Sequence, residues 1–281
     1  MNVEEPVCIE SQGERLIGVL HRPRSPGSAR GMVIVVGGPQ YRVGSHRQFV
    51  LLARALAARG TPVLRFDHKG MGDSSGEFTG FEHAAADIRA AIDALQCGER
   101  SVREVCLWGL CDGASAALMY APQDPRVSHL VLVNPWVRTS AGQAQAYLDG
   151  YYGRKLRSRG FWLRMAGDPS AVLRAASGFL WNLRLARQPL GPGVDGNGDT
   201  EHFLGRMLAG ASLFKGRVLL LLSGRDLVAT EFELLLERSE EWRAALGPRR
   251  VVTRKLPEAT HTFSRQEWRD WTAIATADFI T

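Results

Sequence analysis

Short, mostly apolar runs alternate with longer segments of helical periodicity along much of the chain. Five such runs occupy residues 32–36, 62–66, 105–108, 129–134 and 217–222. Runs of this length and composition are typical of strands that are buried on both faces of a parallel sheet. Segments starting near residues 45, 82 and 231 carry apolar residues at helical spacing. The alternation predicts an α/β fold with a mostly parallel, doubly wound sheet.

The two ends of the chain extend this pattern. Residues 7–22 alternate loosely between apolar and polar positions and end at Pro23, which predicts a pair of antiparallel edge strands. Near the other end, residues 250–253 predict a last strand, and a terminal helix carries Trp268 and Trp271.

The alternation stops at Pro135 and resumes near Arg217. Between them lie aromatic and basic residues at helix-like spacing, followed by a stretch rich in glycine and aspartate that predicts a loop. We therefore predict an α/β core formed by residues 1–135 and 213–281, with an inserted helical cap at 136–212. Trp136, just past a strand end, is expected to line the crevice beneath this cap and to contact a substrate.

The segment Gly109-Leu110-Cys111-Asp112-Gly113 separates the predicted strand at 105–108 from an alanine-rich helix. A strand, a tight turn with two glycines and a helix form a nucleophile elbow, here with cysteine where serine is usual. The amide of Asp112 at the helix N-terminus is predicted to stabilise an oxyanion, and the helix N-terminus favours a thiolate at Cys111.

A cysteine nucleophile needs a base and an anion that orients the base. Asp226 and His261 each follow a predicted strand, and loops at the carboxyl ends of parallel strands meet in one crevice. The order Cys111, Asp226, His261 predicts a catalytic triad. The plainer interpretations are a buried thiol, a helix-capping aspartate and one of seven histidines in the chain.

Five segments carry a resemblance to a known fold family. These are the elbow at 109–113 and the segments 37–40, 66–74, 223–226 and 259–263. With them the chain resembles an α/β-hydrolase over nearly its whole length. The runs at 37–46 and 109–113 are further similar to the exosortase A system-associated hydrolases of exopolysaccharide-producing bacteria. This narrower resemblance implies a role beside exopolysaccharide synthesis and protein sorting.

The α/β-hydrolase resemblance implies cleavage of an ester or thioester through an acyl-Cys111 intermediate, without a metal or an organic cofactor. Cysteine makes thioesters, activated esters and lactones more natural substrates than amides. Two other classes remain open: an acyltransferase that uses a sugar or lipid hydroxyl, and a non-catalytic binding protein on a hydrolase scaffold.

Two departures from the common α/β-hydrolase pattern affect the predicted site. Pro39 has no N–H, so we predict that the second oxyanion donor is the amide of Gln40 or Tyr41. His68 adds an imidazole in the loop after the strand at 62–66. Tyr41 and Trp136 are expected to contact the substrate, and His68 is expected either to do so or to serve only as a structural hydrogen-bonding residue.

Composition limits the remaining possibilities. The chain has 281 residues, of which 45% are hydrophobic and 23% are charged, as in soluble globular proteins. The N-terminal residues are acidic and lack the features of a secretion signal. The four cysteines show no metal-ligand spacing, so we expect neither a disulfide framework nor a structural zinc site. A cytoplasmic location is predicted, whereas the oligomeric state cannot be predicted.

The positive charge is concentrated in the predicted cap. The net charge is +6, and residues 138–187 contain nine basic side chains against two acidic ones, Asp149 and Asp168. This distribution fits a solvated face, or a lid that attracts an anionic small-molecule substrate or an anionic membrane surface. Because no nucleic-acid-binding motif is present, nucleic acid is not expected as a partner.

Overall fold

The computed structural model describes residues 3–24, 28–38, 40–137, 199–247 and 250–280. Its strands are β1 (Val3–Ser11), β2 (Glu14–Arg22), β3 (Arg30–Val35), β4 (Val63–Phe66), β5 (Glu104–Leu110), β6 (Val127–Val133), β7 (Arg217–Ser223) and β8 (Val251–Leu256). They form one sheet of order β1-β2-β4-β3-β5-β6-β7-β8. Strand β2 is antiparallel to β1 and β4, and the other pairs are parallel. The predicted doubly wound, mostly parallel sheet is confirmed.

Helices cover both faces of the sheet. They are α1 (Gln48–Ala58), α2 (Ala85–Gly98), α3 (Asp112–Tyr120), α4 (Asp199–Leu213), α5 (Leu227–Arg238), α6 (Glu240–Ala245) and α7 (Gln266–Ile280). Alternate residues of the central strands point to opposite faces, so each strand contributes to two apolar clusters. Helices α1 and α7 pack on one face, and helices α2 to α6 pack on the other.

Local contacts account for two of the differences between the predicted and the observed helices. The helical segment predicted from near residue 231 is divided into α5 and α6, because Ser239 caps α6 by accepting a hydrogen bond from the Trp242 amide at 3.3 Å. The helix predicted from residue 45 starts as a 3₁₀ turn. Within that turn His46 and Arg47 have positive φ, so the α-helix begins only at Gln48.

Helix α4 crosses the predicted end of the cap at residue 212. Its buried side chains Phe203, Met207 and Ala211 belong to the apolar cluster beneath α3. A Cβ at Gly210 would lie 2.3 Å from the carbonyl oxygen of Leu118, so the two helices approach closely. The C-terminal part of the predicted cap segment thus packs on the core. Residues 138–198 of that segment lie outside the described residues, and the cap itself stays a prediction.

The four cysteines are free thiols, with Cys8 and Cys97 exposed, Cys106 buried and Cys111 partly buried. No helix in the described ranges is long and apolar enough to cross a membrane.

A buried pair of basic side chains joins β2 to β4. The Nε of Arg65 donates a hydrogen bond to Nε2 of His21 at 2.8 Å, which requires a neutral imidazole. Burial, together with the charge of Arg65, lowers the pKa of His21 to about 4. Burial also lowers the pKa of Arg65 to about 10. The pair is therefore stable only while His21 is unprotonated.

We predict that this pair makes folding sensitive to acid. Between the ordinary His21 pKa of 6.5 and its folded value of about 4, the unfolded chain binds a proton that the folded protein does not. Lowering the pH through this range should therefore reduce the free energy of unfolding by about 3 kcal/mol through His21 alone. His21→Gln keeps an acceptor for Arg65 and should flatten this part of the curve, measured by urea unfolding at several pH values. The same substitution at exposed His83 is the control, and an equal slope in wild type and His21→Gln would refute the assignment.

Candidate active site

Cys111 lies in a tight turn between β5 and α3. Its backbone has φ 60° and ψ −126°, a conformation that L-residues rarely adopt. A Cβ at Gly109 would lie 2.4 Å from the Gly113 carbonyl oxygen, and a Cβ at Gly113 would lie 2.4 Å from the Val35 carbonyl oxygen. Only glycine fits at these two positions. The predicted strand, sharp turn and helix are thus present, and they place Cys111 at the carboxyl edge of the sheet.

Residues at the end of β6 and just after it form hydrogen bonds with the backbone of Cys111. The Cys111 amide donates to the Val133 carbonyl oxygen at 2.9 Å, and the Cys111 carbonyl oxygen accepts from the Trp136 amide at 3.2 Å. The hydroxyl of Ser115 on α3 donates to the Trp136 carbonyl oxygen at 2.7 Å. The backbone of Trp136 therefore lies beside Cys111, the predicted nucleophile. Its predicted contact with substrate stays a prediction.

Asp226 and His261 form a hydrogen-bonded pair. The Nδ1 of His261 lies 2.7 Å from Oδ2 of Asp226. The Asp226 side chain is only 7% exposed, and its Oδ1 also accepts from the Val228 amide at 3.1 Å as the cap of α5. The His261 side chain is 32% exposed. Because Asp226 engages Nδ1, Nε2 is the nitrogen left to exchange protons with a reactant.

The loops that carry this pair are joined by their backbones. The Arg225 amide donates to the Ala259 carbonyl oxygen, and the Gly224 amide donates to the Leu256 carbonyl oxygen, both at 2.9 Å. A Cβ at Gly224 would lie 2.2 Å from the carbonyl oxygen of Pro257, so the two loops are in close contact. The acid and the histidine are consequently presented as one unit at the end of β7 and β8.

The side chain of Asp112 links the elbow to the loop after β3. Its Oδ2 accepts from the Gly38 amide at 2.7 Å, and its Oδ1 accepts from the Gly113 amide at 3.1 Å. A Cβ at Gly37 would lie 2.0 Å from Oδ1 of Asp112, which explains why glycine occupies that position. Burial raises the pKa of Asp112. The sequence indicates only a role for the Asp112 amide and gives no sign of this contact of its carboxyl group.

The other predicted residues of the β3 loop are less closely defined. The Oε1 of Gln40 accepts from the Ser45 amide at 3.4 Å, and Pro39 lies outside the described residues. Tyr41 is 48% exposed, and its carbonyl oxygen accepts from the Gly44 amide at 2.9 Å. The oxyanion role of Gln40 and the substrate contact of Tyr41 stay predictions.

His68 lies inside the protein. It is buried, its Nδ1 lies 3.4 Å from Oδ2 of Asp87, and its ring packs edge-on against Phe66. Burial raises the pKa of Asp87, but the nearby His68 ring and the hydrogen bonds from Ser11 and the Lys69 amide outweigh burial, so the pKa is lowered overall. The contact of His68 with substrate stays a prediction, since the structure places this side chain within a buried polar cluster.

A fully buried carboxylate anchors the loop after β3 to the loop after β4. Asp67 accepts from the Arg42 amide at 2.5 Å and from the Arg42 guanidinium, which also donates to Asp73 at 2.6 Å. Gly72 packs against this carboxylate so closely that a Cβ would lie 2.2 Å from Oδ2. Sequence analysis included Asp67 only as part of the segment 66–74 that resembles an α/β-hydrolase, and it missed the contact with Arg42. The position of a carboxylate directly after a buried strand is the feature from which this anchoring role could have been predicted.

Comparison with known proteins agrees with this geometry. The family model Hydrolase_4, described as serine aminopeptidase, S33, matches residues 27–174, just over half of the chain. The chain belongs to this family. The match confirms an enzyme of the hydrolase class and the α/β-hydrolase part of the resemblance. It includes the Cys111 elbow but ends before Asp226 and His261, whose pairing is known from the structure alone.

Solved structures of similar fold superpose on nearly the whole length of this chain. An esterase from Pyrococcus furiosus, Pf2001, superposes with a TM-score of 0.65 at 15% identity, covering 99% of this chain and 90% of that one. Est1E from Butyrivibrio proteoclasticus, solved with ferulic acid, has a TM-score of 0.63 at 16% identity, with 98% and 97% covered. These likenesses confirm the α/β-hydrolase fold.

A curated relative is the uncharacterized protein RP471 of Rickettsia prowazekii. It is 28% identical to this chain over 102 residues. The match covers 36% of this chain and less than half, 43%, of the relative.

No group of three His, Cys, Asp or Glu side chains within the described ranges is arranged to hold a metal ion.

We predict that Gly37→Ala disturbs the elbow. The new methyl group would overlap Oδ1 of Asp112 and would lie 2.4 Å from the Gly113 amide nitrogen. The free energy of unfolding should fall by about 1–3 kcal/mol, as for other overpacked sites, and turnover of any substrate should fall with it. Chemical unfolding and steady-state assays measure both.

The matched control is Gly205→Ala in α4, where a Cβ would meet no atom within 4 Å. Its stability should stay equal or rise by about 0.5–1 kcal/mol because alanine favours the helix. Equal stability and activity in Gly37→Ala and wild type would show that the close approach at the elbow is not required.

Proposed function

We propose that this protein hydrolyses an ester or thioester through an acyl-Cys111 intermediate, with His261 as the base and Asp226 as the residue that orients it. The observation that carries the proposal is the 2.7 Å contact between His261 Nδ1 and Asp226 Oδ2 at the sheet edge where Cys111 stands in its strained turn. Nucleophile, base and orienting acid are the set that acyl transfer requires.

In the first step, Cys111 Sγ attacks the substrate carbonyl carbon while Nε2 of His261 takes the thiol proton. A C–S bond forms, and the carbonyl oxygen becomes an oxyanion that the Asp112 amide stabilises. When the carbonyl double bond re-forms, the bond to the leaving alcohol or thiol breaks. His261 gives its proton to that leaving group, and the acyl-cysteine remains.

In the second step, water replaces the leaving group. Nε2 of His261 removes a proton from the water as its oxygen attacks the acyl carbon, and collapse of the intermediate breaks the C–S bond. The proton returns to Cys111, and the carboxylic acid is released. Throughout, Asp226 keeps the proton on Nδ1, so that the reactive nitrogen is always Nε2.

The residue at the elbow supports a preference for activated acyl groups. The family description names a serine enzyme, whereas this chain has Cys111. A thiolate leaves a tetrahedral intermediate more readily than an amine does, so a cysteine nucleophile suits thioesters and activated esters better than amides. The structural relative Pf2001 is an esterase, which is in line with an ester substrate for this chain.

Further parts of the proposal concern the cap and the cellular role. The basic residues between 138 and 187 lie outside the described residues, and we propose that their charge favours an anionic substrate or an anionic membrane surface. A role beside exopolysaccharide synthesis is proposed from the sequence resemblance at 37–46 and 109–113. Exopolysaccharide yield after deletion of the gene in its host tests it.

We predict that brief exposure to p-nitrophenyl esters and acyl-CoA thioesters adds one acyl group to the protein, on Cys111. Intact-mass analysis and peptide mapping detect the adduct. Cys111→Ala should lack it and should lose about 10³-fold or more in kcat/KM. Asp226→Asn should reduce kcat strongly but leave the thiol in place, because an amide no longer holds His261 in the reactive tautomer.

The alternatives give different results in the same assays. An acyltransferase forms the same adduct, but release of the acyl group accelerates when a sugar or lipid hydroxyl is added and the acylated alcohol appears as product. A binding protein forms no adduct with any substrate of the panel. In that case iodoacetamide would also alkylate Cys111 with the same pH dependence in wild type and His261→Ala, and the proposed mechanism would be rejected.

A further inference from the structure

The segment that follows β6 contacts the loops of all three proposed triad residues. Through their backbones, Val133 and Trp136 hold Cys111, at 2.9 and 3.2 Å. Between them, Asn134 points its side chain toward the ends of β7 and β8, away from the elbow. One turn of four residues thus lies between the nucleophile and the pair formed by the acid and the base.

Both the oxygen and the nitrogen of the Asn134 side-chain amide form hydrogen bonds. Its Oδ1 accepts from the Ser223 amide at 2.9 Å, and its Nδ2 donates to Ser223 Oγ at 2.9 Å and to the His261 carbonyl oxygen at 3.1 Å. The residue has no exposed surface. Ser223 Oγ in turn donates to the Thr260 carbonyl oxygen at 3.0 Å, which joins the loop of His261 a second time.

Asparagine is the side chain that these positions require. The backbone φ is 44°, a left-handed value that asparagine tolerates better than most residues. The site needs one acceptor facing an amide and two donors facing oxygens. Aspartate would oppose its oxygen to the His261 carbonyl oxygen, and glycine would fit the backbone but would remove the side-chain partner of the Ser223 amide and of the His261 carbonyl oxygen.

We propose that Asn134 is a positioning residue that sets His261 against Asp226 and Cys111. The inference rests on the proposed function, because it assigns to Asn134 the placement of that triad. Ser223 ends β7 three residues before Asp226, so one side chain connects the acid loop to the base loop. Loosening this connection displaces the imidazole without removing any reacting group.

The test compares Asn134→Asp and Asn134→Gly with wild type. Asn134→Asp keeps the size of the side chain and the acceptor for the Ser223 amide, but it turns the donor to the His261 carbonyl oxygen into an acceptor. We expect kcat to fall by about 10²-fold, the loss typical of a misplacement of about 1 Å, while KM stays within about twofold. Asn134→Gly keeps the backbone conformation and should show at least the same loss.

A second readout separates positioning from stability. Iodoacetamide alkylation of Cys111 across pH reports its coupling to the base, and in both Asn134 variants the profile should move toward that of His261→Ala. Among the described residues, the loops that Asn134 joins carry Asp226, His261 and the ion pair of Arg225 with Glu258, and the elbow carries Cys111 and Asp112. The alkylation profile of His261→Ala, measured in parallel, shows how much of the pH dependence of Cys111 is due to His261.

The matched control is Thr276→Val in α7. Thr276 is fully buried and accepts a hydrogen bond from Trp108 Nε1 at 3.3 Å, so its loss should lower the melting temperature without moving the alkylation profile. Asn134 variants with an unchanged profile, whether or not kcat falls, would overturn the positioning role. If His261→Ala also leaves the profile unchanged, the proposed triad fails together with the inference drawn from it.

Discussion

The site depends on a close approach of three backbone segments around Cys111. The end of β3, the elbow and the start of α3 lie so near one another that a Cβ at Gly37, Gly109 or Gly113 would meet an atom at 2.0–2.4 Å. Absence of side chains at these points lets the chain turn at Cys111 with φ 60°. The turn places Cys111 directly after β5 and at the N-terminus of α3, where the first amides of a helix have no partner within the helix. Every other feature of the site is arranged around that position.

Buried polar side chains hold the surrounding loops in register with the elbow. Parallel strands end at this edge and leave backbone groups that no neighbouring strand satisfies, so side chains take their place. Asp67 binds the loop after β3 through Arg42, and Asn134 binds the loops after β7 and β8. Both Asp67 and Asn134 are fully buried, where an unpaired polar group is costly. The loops therefore have one favourable arrangement.

The sequence sufficed for the order of strands and helices, the elbow and the chain order of the proposed triad, because each rests on local patterns. Apolar runs and glycine spacing are properties of neighbouring residues. The contact of Asp112 with Gly38 joins positions 74 residues apart, and that of Asn134 with Ser223 joins positions 89 residues apart. Hydrophobic periodicity carries no information about such pairs. The break between α5 and α6 could not be predicted for a different reason. A serine such as Ser239 can lie within a helix or cap the start of a new one, and the packing of the surrounding chain decides between the two.

The electrostatics of the elbow bear on which acyl groups the proposed reaction suits. The Gly38 amide already donates to the Asp112 carboxyl group, and Pro39 supplies no N–H. The oxyanion donors predicted from the sequence are therefore the Asp112 amide at the start of α3 and an amide beyond Pro39, and the Gly38 amide is not one of them. Thioesters and activated esters expel good leaving groups and need less such stabilisation than amides. The proposed nucleophile, the thiol of Cys111, suits the same thioesters and activated esters, because a thiolate is expelled more readily than an amine.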